Sequence, residues 1–275
     1  MKKIVLLLIF CLFLQMPALA KHTYTCPVVK EIPHDPGTIL AKITGMQYFA
    51  VQSVEAYLQH YIKKNYGCDI KIDIKAKSLK ALKKGEFRQV SATSKKIKGD
   101  GFTISDFKAK TLCPYNRFII SNDYVFFPYN IPAEFSATVT NEDLQYMSSC
   151  QNSFFKVNSS FLGISKINWR IENSRLKITL EVATPFVKTR VTVSTGLAIK
   201  NGKVVLYSPS GSSTAIKFDV NKILPFLNYH NPFSYVVKLA ENADSFIDLD
   251  ELTIKDDKIY VKGIFLIPKN CDINK

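Results

Sequence analysis

A stripe of apolar residues at helical spacing near the start of the chain constrains the fold more than any other feature. The stripe runs through residues 36–66. Asp35 suits an N-cap, Pro36 suits the first helical position, and Gly67 suits a left-handed C-terminal stop. At ~1.5 Å per residue the predicted helix is about 46 Å long. Its apolar side chains share one arc of about 160°. They are Ile39, Leu40, Ile43, Met46, Ala50, Val51, Val54, Tyr57, Leu58, Tyr61 and Ile62.

So wide an apolar stripe must pack against a broad apolar surface. Most of the chain that follows is rich in β-branched and aromatic residues with partial period-two alternation, which predicts strands. A sheet laid along or curled around the helix either packs solid or leaves an apolar groove. We therefore expect an α+β fold with a large, mainly antiparallel sheet. The predicted strands are 70–76, 102–110, 118–127, 133–139, 166–171, 176–182, 186–199, 204–207, 252–254 and 259–266.

Two shorter helices interrupt these strands. Thr140 suits an N-cap, and the acidic residues Glu142 and Asp143 in the following turn face the positive end of the helix dipole. We interpret these acids as structural. A second short helix is predicted at 218–227, where Pro225 argues against a long one.

The first twenty residues are typical of a secretory signal peptide. Two lysines precede an apolar run at 4–14, and a small-residue cleavage site ends at Ala20. The run is too short for a bilayer, which requires ~20 residues. We expect residues 1–20 to be removed and residues 21–275 to form one domain in the periplasm or cell envelope, without a transmembrane segment.

The positive charge is concentrated in one part of the chain. The formal net charge is +14, and residues 71–110 hold twelve Lys or Arg against four acids. This run is either a solvated outer face or a surface for anionic headgroups, where each basic residue is worth about 1 kcal/mol. Nucleic acid is a poorer candidate because the run lacks interleaved aromatic residues. The candidate headgroup or membrane-surface residues are Lys80, Lys83, Lys84 and Arg88, with Lys95, Lys96 and Lys98 in the same run.

The sequence carries no recognisable catalytic or metal-binding motif. The predicted mature chain keeps five cysteines without a C-x-x-C pair, which leaves the disulfide connectivity open. The Ser-rich segment 208–213 lacks the spacing of a nucleophile elbow. We expect a protein that is not an enzyme and has no cofactor or metal. The five cysteines are Cys26, Cys68, Cys113, Cys150 and Cys271.

Three segments, taken in order, resemble one known family. Residues 78–85 read SLKALKKG between two strands, residues 137–144 read ATVTNEDL, and residues 252–263 read LTIKDDKIYVKG. With the long helix they resemble the bacterial LmeA-like phospholipid-binding family, which is similar to tubular lipid-binding domains. The resemblance implies a curved antiparallel sheet wrapped around one long N-terminal helix, with an apolar groove for acyl chains.

On this basis we expect an exported, non-enzymatic protein that binds or transfers phospholipid, or binds an anionic membrane surface. The alternative is a solid β-rich envelope scaffold or adhesion module without a lipid cavity. An enzyme of lipid or polymer metabolism comes third. The candidate groove residues are Ile43, Met46, Ala50, Val54, Tyr57, Leu58, Tyr61, Phe154, Phe155 and Phe161.

Overall fold

The protein has an α+β fold in which most strands are antiparallel. Residues 1–20, predicted as the signal peptide, lie outside the residues that the structure describes, and the single-domain prediction stays a prediction. The computed structural model describes residues 24–27, 41–42, 44–99, 101–121, 124–154, 157–158, 163–183, 188–200, 202–213, 219–234, 236 and 245–269.

The long helix of the sequence prediction is shorter than expected. The chain leaves helical geometry at Thr44 and Gly45, and Gly45 has a φ of 72°. The prediction of one unbroken helix is therefore wrong at this point, and Asp35 and Pro36 lie outside the described residues. The helix that follows has 21 residues and is about 31 Å long. Its predicted end is confirmed, since Gly67 has a φ of 65° and its N–H bonds to the Lys63 carbonyl. The helices whose bounds lie within the described residues are α1 (Met46–Tyr66), α2 (Leu79–Lys83), α3 (Asn141–Phe154) and α4 (Val220–Tyr229).

Two main antiparallel sheets contain most of the strands. Sheet 1 has the order β1-β3-β4-β8-β15-β14, and sheet 2 has the order β13-β12-β11-β10-β9. The single predicted strand at 118–127 is instead the hairpin of β6 and β7. The strands are β1 (Lys71–Lys75), β2 (Glu86–Phe87), β3 (Gln89–Gly99), β4 (Phe102–Thr111), β5 (Asn116–Arg117), β6 (Ile119–Ser121), β7 (Tyr124–Phe126), β8 (Ile131–Val139), β9 (Val157–Asn158), β10 (Gly163–Glu172), β11 (Arg175–Ala183), β12 (Lys188–Lys200), β13 (Lys203–Ser213), β14 (Ile247–Lys255) and β15 (Lys258–Ile267).

The large core lies between the inner face of sheet 2, α3, α4 and the last strands of sheet 1. Strand β11 alternates strictly between buried and half-buried positions, as period-two patterning requires. Cross-strand pairs such as Ile178 with Val193 fill the interior. Trp169 on β10 is fully buried there. This core therefore buries the inner face of sheet 2 against two helices and strands of sheet 1.

The small core lies under α1. Leu58 and Tyr61 are its buried helical members, and they pack with Ile72 and Ile74 of β1. The aromatic rings of Phe87 and Phe118 stack in this cluster with centroids 4.1 Å apart. Helix α1 thus packs at the β1 end of sheet 1. The predicted arrangement, one curved sheet wrapped around a long N-terminal helix, is not what the described residues show.

Helix α1 also covers the open edge of β1. The Glu55 carboxylate accepts the Ile74 N–H at 2.6 Å, and the Gln59 amide donates to the Ile72 carbonyl at 3.4 Å. The Gln47 amide donates to the Ala76 carbonyl at 3.2 Å. Four helical residues rise by about 6 Å and two strand residues by about 6.6 Å, so side chains four apart match alternate strand residues.

Helix α3 covers the edge of β10 in the same way. The Asn152 side chain donates to the Ile167 carbonyl at 2.9 Å and accepts the Ile167 N–H at 2.8 Å. Asn141 makes the equivalent pair with Ile171, at 3.2 and 2.6 Å. The Ser148 hydroxyl accepts the N–H of Trp169. Polar side chains of the helix therefore satisfy backbone groups that no neighbouring strand reaches.

The predicted cap of α3 is confirmed. The Thr140 hydroxyl accepts the Asp143 N–H at 3.2 Å, and the Asp143 carboxylate accepts the Thr140 N–H at 2.9 Å, which is a reciprocal capping box. The same carboxylate accepts the hydroxyls of Ser105 at 2.8 Å and Thr103 at 3.3 Å, both on β4. Asp143 is fully buried. Through it, the N-terminus of α3 is fixed to sheet 1.

One disulfide settles part of the connectivity that the sequence left open. Cys26 is bonded to Cys113, and the bond ties the segment 24–27 to the turn after β4. Cys68 is buried and its thiol lies 3.6 Å from the Lys98 carbonyl. A disulfide is consistent with the predicted export.

Candidate anion-binding cleft

A cleft of 1030 Å³ opens between the C-terminal half of α1 and the faces of β3 and β4. Three structural elements position its walls: the end of α1, the turn into β1, and the middle of the β3–β4 pair. The lining residues are Gln59, His60, Lys63, Gly67, Asp69, Ile70, Lys71, Thr93, Ser94, Lys95, Lys96, Lys98, Asp106, Phe107 and Lys108. Six of them are lysines and two are aspartates.

The first wall is set by the end of α1. Gly67 takes the left-handed conformation that an L side chain rarely adopts, so the chain turns sharply away from the helix axis and enters β1. Lys63 and Asp69 flank this turn and form an exposed ion pair of 2.8 Å. This pair raises the pKa of Lys63, mainly through its hydrogen bond to Asp69. The turn brings Lys71 to the cleft beside Lys63.

The second wall contains a β-bulge in β4. The pairing of β4 with β8 shifts register between Ser105 and Lys108. Within the bulge Asp106 has a φ of 49°, and its carboxylate accepts the Thr138 hydroxyl at 3.1 Å. A bulge bends a strand and changes the direction of its side chains. Here the bulged residues Asp106 and Phe107 line the cleft together with Lys108, which pairs with Ser136 directly after the bulge.

The cleft has a formal excess of four positive charges, with His60 neutral. Within the described part of the chain, Lys71, Lys95 and Lys108 make no ion pair with a carboxylate. Their ammonium groups are exposed on three different strands. Lysine ammonium groups donate three hydrogen bonds each, so this arrangement suits a ligand with several anionic oxygens.

Lys96 differs from the other lysines because carboxylates of α3 hold it. Its ammonium lies 2.9 Å from Glu142 and 3.7 Å from the buried Asp143. The hydrogen bond to Glu142 is the main cause that raises the pKa of Lys96, and burial opposes it. Lys98, two residues further along β3, stands 5.7 Å from the ring centre of Tyr146. The cleft floor is therefore linked to α3.

A second cleft of 510 Å³ over β8 and β15 provides a contrast. Its formal charges are balanced, with three lysines against three acids, and one of these lysines, Lys108, lines both clefts. Lys262 pairs with Glu251 at 2.7 Å, and Lys110 lies 3.7 Å from Glu134. A cleft with compensated charges attracts anions weakly. The excess of positive charge therefore distinguishes the cleft beside α1.

The predicted headgroup residues lie apart from this cleft. Lys80 and Lys83 are on α2, Lys84 follows it, and Arg88 lies between β2 and β3; all four are exposed. The cleft instead takes Lys71, Lys95, Lys96, Lys98 and Lys108 from the same basic run and adds Lys63 from α1. Sequence reasoning did not single out Lys63, Lys71 or Lys108, because the chain reversal at Gly67 and the bulge at Asp106 bring them together.

The predicted groove residues have different environments. Leu58 and Tyr61 are buried in the small core, and Ala50, Val54 and Tyr57 pack against it. Met46 is exposed. Ile43, Phe155 and Phe161 lie outside the described residues, and Phe154 is the last residue of α3. Their role in lining a lipid groove stays a prediction.

No metal cluster of His, Cys, Asp or Glu occurs among the described residues, and none of the described helices has the length and apolarity to cross a bilayer. Comparisons with protein-family models, curated proteins and solved structures gave no match. The resemblance to the LmeA-like family therefore stays a prediction.

Proposed function

We propose that this protein is an exported, non-enzymatic component of the cell envelope that binds anionic phospholipid, with the phosphate headgroup in the lysine-lined cleft. The observation that carries the proposal is the convergence of Lys71, Lys95 and Lys108, without carboxylate partners among the described residues, on one open cleft. Near an anionic membrane surface each such residue contributes about 1 kcal/mol of attraction, which salt weakens.

Lys71 of this cleft, which makes no ion pair with a carboxylate among the described residues, has no evident structural task. Lysines on an edge strand commonly prevent edge-to-edge association of sheets. Here α1 already covers the open edge of β1 through Glu55 and Gln59. Lys71 and Lys75 are therefore not needed to protect that edge, which favours a ligand as the reason for the charge.

A fuller form of the proposal has acyl chains in an apolar groove between α1 and a curved sheet, which is the lipid-carrier arrangement. Leu58 and Tyr61 occupy the inner face of α1 and pack with Ile72 and Ile74. Lipid tails would gain about 0.8 kcal/mol for each CH₂ group transferred from water, but they would have to displace this packing. We therefore favour binding of the headgroup at the surface over full enclosure of the lipid.

The second candidate function is a solid envelope scaffold or adhesion module. The large core, in which Trp169 is fully buried, favours it, because a module that presents its surface to a partner protein needs no internal cavity. It predicts crosslinking to a protein and no selectivity for anionic vesicles.

The test is vesicle binding by a matched pair of triple variants. Lys71→Gln/Lys95→Gln/Lys108→Gln removes the exposed cleft lysines, and Lys80→Gln/Lys83→Gln/Lys84→Gln removes the same charge at α2. We expect the wild type to bind phosphatidylglycerol-containing vesicles and not pure phosphatidylcholine. The cleft variant should bind on the order of a hundredfold more weakly, at about 1 kcal/mol per lysine, and the α2 variant should lose much less.

Each other outcome has a definite meaning. Equal losses of vesicle affinity in both variants would show that diffuse charge attraction, and not the cleft, binds the vesicles. A wild type without selectivity for anionic vesicles would overturn the proposal. Titration with inorganic phosphate shows whether a free anion is bound without a membrane. Native mass spectrometry of the purified protein tests the carrier form, which requires co-purifying phospholipid.

A further inference from the structure

The N-terminal half of α1 exposes a group of large apolar side chains. Met46, Tyr48 and Phe49 are 56%, 63% and 66% exposed. The rings of Tyr48 and Phe49 pack edge to face with centroids 5.9 Å apart, and the Gln52 amide donates to the Tyr48 hydroxyl at 2.6 Å. We call Tyr48 and Phe49, together with the neighbouring Met46, the aromatic patch. Single exposed apolar residues are ordinary, but an adjacent group on one helix indicates an interaction surface.

The aromatic patch and the cleft share the outer face of α1. Phe49 and His60 are eleven residues apart, which is about 20° of rotation around the helix. Phe49 and Lys63 are fourteen residues apart, about 40° of rotation and about 21 Å along the axis. A flat surface resting on this face would meet the aromatic patch at one end and the cleft at the other.

The charged side chains that α1 itself exposes on this face are of one sign, and the Asp69 carboxylate that pairs with Lys63 comes from the turn after the helix. The only acidic residue of α1 is Glu55, and its carboxylate turns inward to the Ile74 N–H. Lys63 and Lys64 are exposed near the C-terminal end of the helix. An anionic surface is complementary to this face. A second copy placed on it with two-fold symmetry would bring lysines together, which costs energy.

We propose that α1 lies with its outer face on an anionic phospholipid bilayer, so that Tyr48 and Phe49 enter the interface while the cleft engages the phosphate groups. This inference rests on the proposed function. Aromatic side chains are favoured at the level of the headgroups, where the ring is apolar and the tyrosine hydroxyl stays hydrated. A helix with an apolar end and basic residues binds in the plane of the interface by both forces together. The orientation of the protein on the membrane follows from these two contacts.

The sequence offers a clean reporter for this orientation. The chain has one tryptophan, Trp169, and it is fully buried in the large core. A Phe49→Trp variant adds one tryptophan at the proposed contact. A Tyr229→Trp variant is the matched control, since Tyr229 on α4 is 67% exposed. Both substitutions replace an exposed aromatic residue by another, so folding is preserved.

On binding to phosphatidylglycerol vesicles, the emission of Phe49→Trp should shift to shorter wavelength and be quenched by brominated lipid. The emission of the wild type and of Tyr229→Trp should change little. A bound Phe49→Trp protein with unchanged, unquenched emission overturns the inference and leaves the proposed function standing. If no variant binds any vesicle, the proposed function and this inference fail together.

A second measurement addresses affinity. The Tyr48→Ser/Phe49→Ser variant should bind the same vesicles about tenfold more weakly, because two rings no longer leave water. Its salt dependence should match that of the wild type, since the lysines are intact. Tyr229→Ser is the control and should bind as the wild type does. Unchanged affinity of the double variant, or self-association of the wild type through this face in the absence of lipid, would contradict the proposal.

Discussion

Helices α1 and α3 both cover the edge of a strand, but their surroundings differ. Each lies along a strand edge and satisfies its backbone groups with polar side chains, Glu55 and Gln59 for β1 and Asn141 and Asn152 for β10. Helix α3 is enclosed, because it contacts β10 of sheet 2 and β4 of sheet 1. Helix α1 has only its inner face covered.

Because α3 is packed on two sides and α1 on one, α3 contributes to stability, whereas α1 can also bind a ligand. Leu144 and Asp143 of α3 are fully buried, so this helix is anchored between the two sheets. The outer face of α1 keeps the aromatic patch and one wall of the cleft in solvent. A helix packed on one side can thus serve as a structural cover and as a binding surface at once.

The largest expected effect concerns the buried carboxylate that fixes α3. Asp143→Asn keeps the shape but loses a charged acceptor of hydroxyl and N–H donors, so we expect a loss of about 3 kcal/mol in the free energy of unfolding. Urea denaturation followed by circular dichroism measures it.

The matched control for this change is Glu142→Gln. Its carboxylate is mostly exposed although it also bonds Lys96, so its removal should cost at most about 0.5 kcal/mol. If both variants lost the same stability, Asp143 would act only through its charge near Lys96, and the enclosure of α3 would not explain its importance.

Removing one hydrogen-bonding side chain from each helix–edge contact should have a smaller effect on the free energy of unfolding. Asn152→Ala leaves the N–H and carbonyl of the fully buried Ile167 without side-chain partners, for a loss of about 2 kcal/mol. Gln59→Ala removes one long hydrogen bond at an accessible edge and should cost about 0.5 kcal/mol. Hydrogen exchange of the Ile167 amide is the second readout. Equal losses would show that the two contacts are equally enclosed.

The smallest effect is a pH dependence at Lys96. Carboxylate partners raise its pKa in the folded protein above the ordinary value of 10.5. A raised lysine pKa contributes stability that is complete below pH 10.5 and is lost as the pH rises through the folded value. The stability difference between wild type and Lys96→Gln should therefore be constant at neutral pH and shrink above pH 10.5. A difference that grows in alkali would contradict the ion pairs with α3.

Local patterns in the sequence predicted several elements well. Gly67 ends α1, Thr140 caps α3 with Asp143 in a structural role, and alternation identified β11 and β12. These signals depend on neighbours within a few residues, so they act before the tertiary fold is formed. The predictions were wrong where a local pattern had two solutions. Gly45 interrupts the apolar stripe, and residues 118–127 contain the β6–β7 hairpin, whose two apolar segments are separated in the sequence by Ser121, Asn122 and Asp123.

The candidate site was predictable only as a basic region. Sequence reasoning chose Lys80, Lys83, Lys84 and Arg88, which are consecutive basic residues of the charge run but lie on α2 or shortly after it. The cleft depends on Lys63, Lys95 and Lys108, whose proximity follows from the β3–β4 pairing and the turn at Gly67. No spacing along the chain encodes that proximity.

The sequence by itself determined the α+β class, the strand periodicity, the caps and the excess of positive charge. Each of these is set by side chains that interact over one helical turn or one strand pair. The tertiary structure decided that the strands divide into two main sheets, that α1 and α3 cover strand edges, and which lysines share a cleft. These outcomes depend on contacts between distant segments, where total burial and hydrogen-bond satisfaction select one arrangement among many that the same local patterns allow.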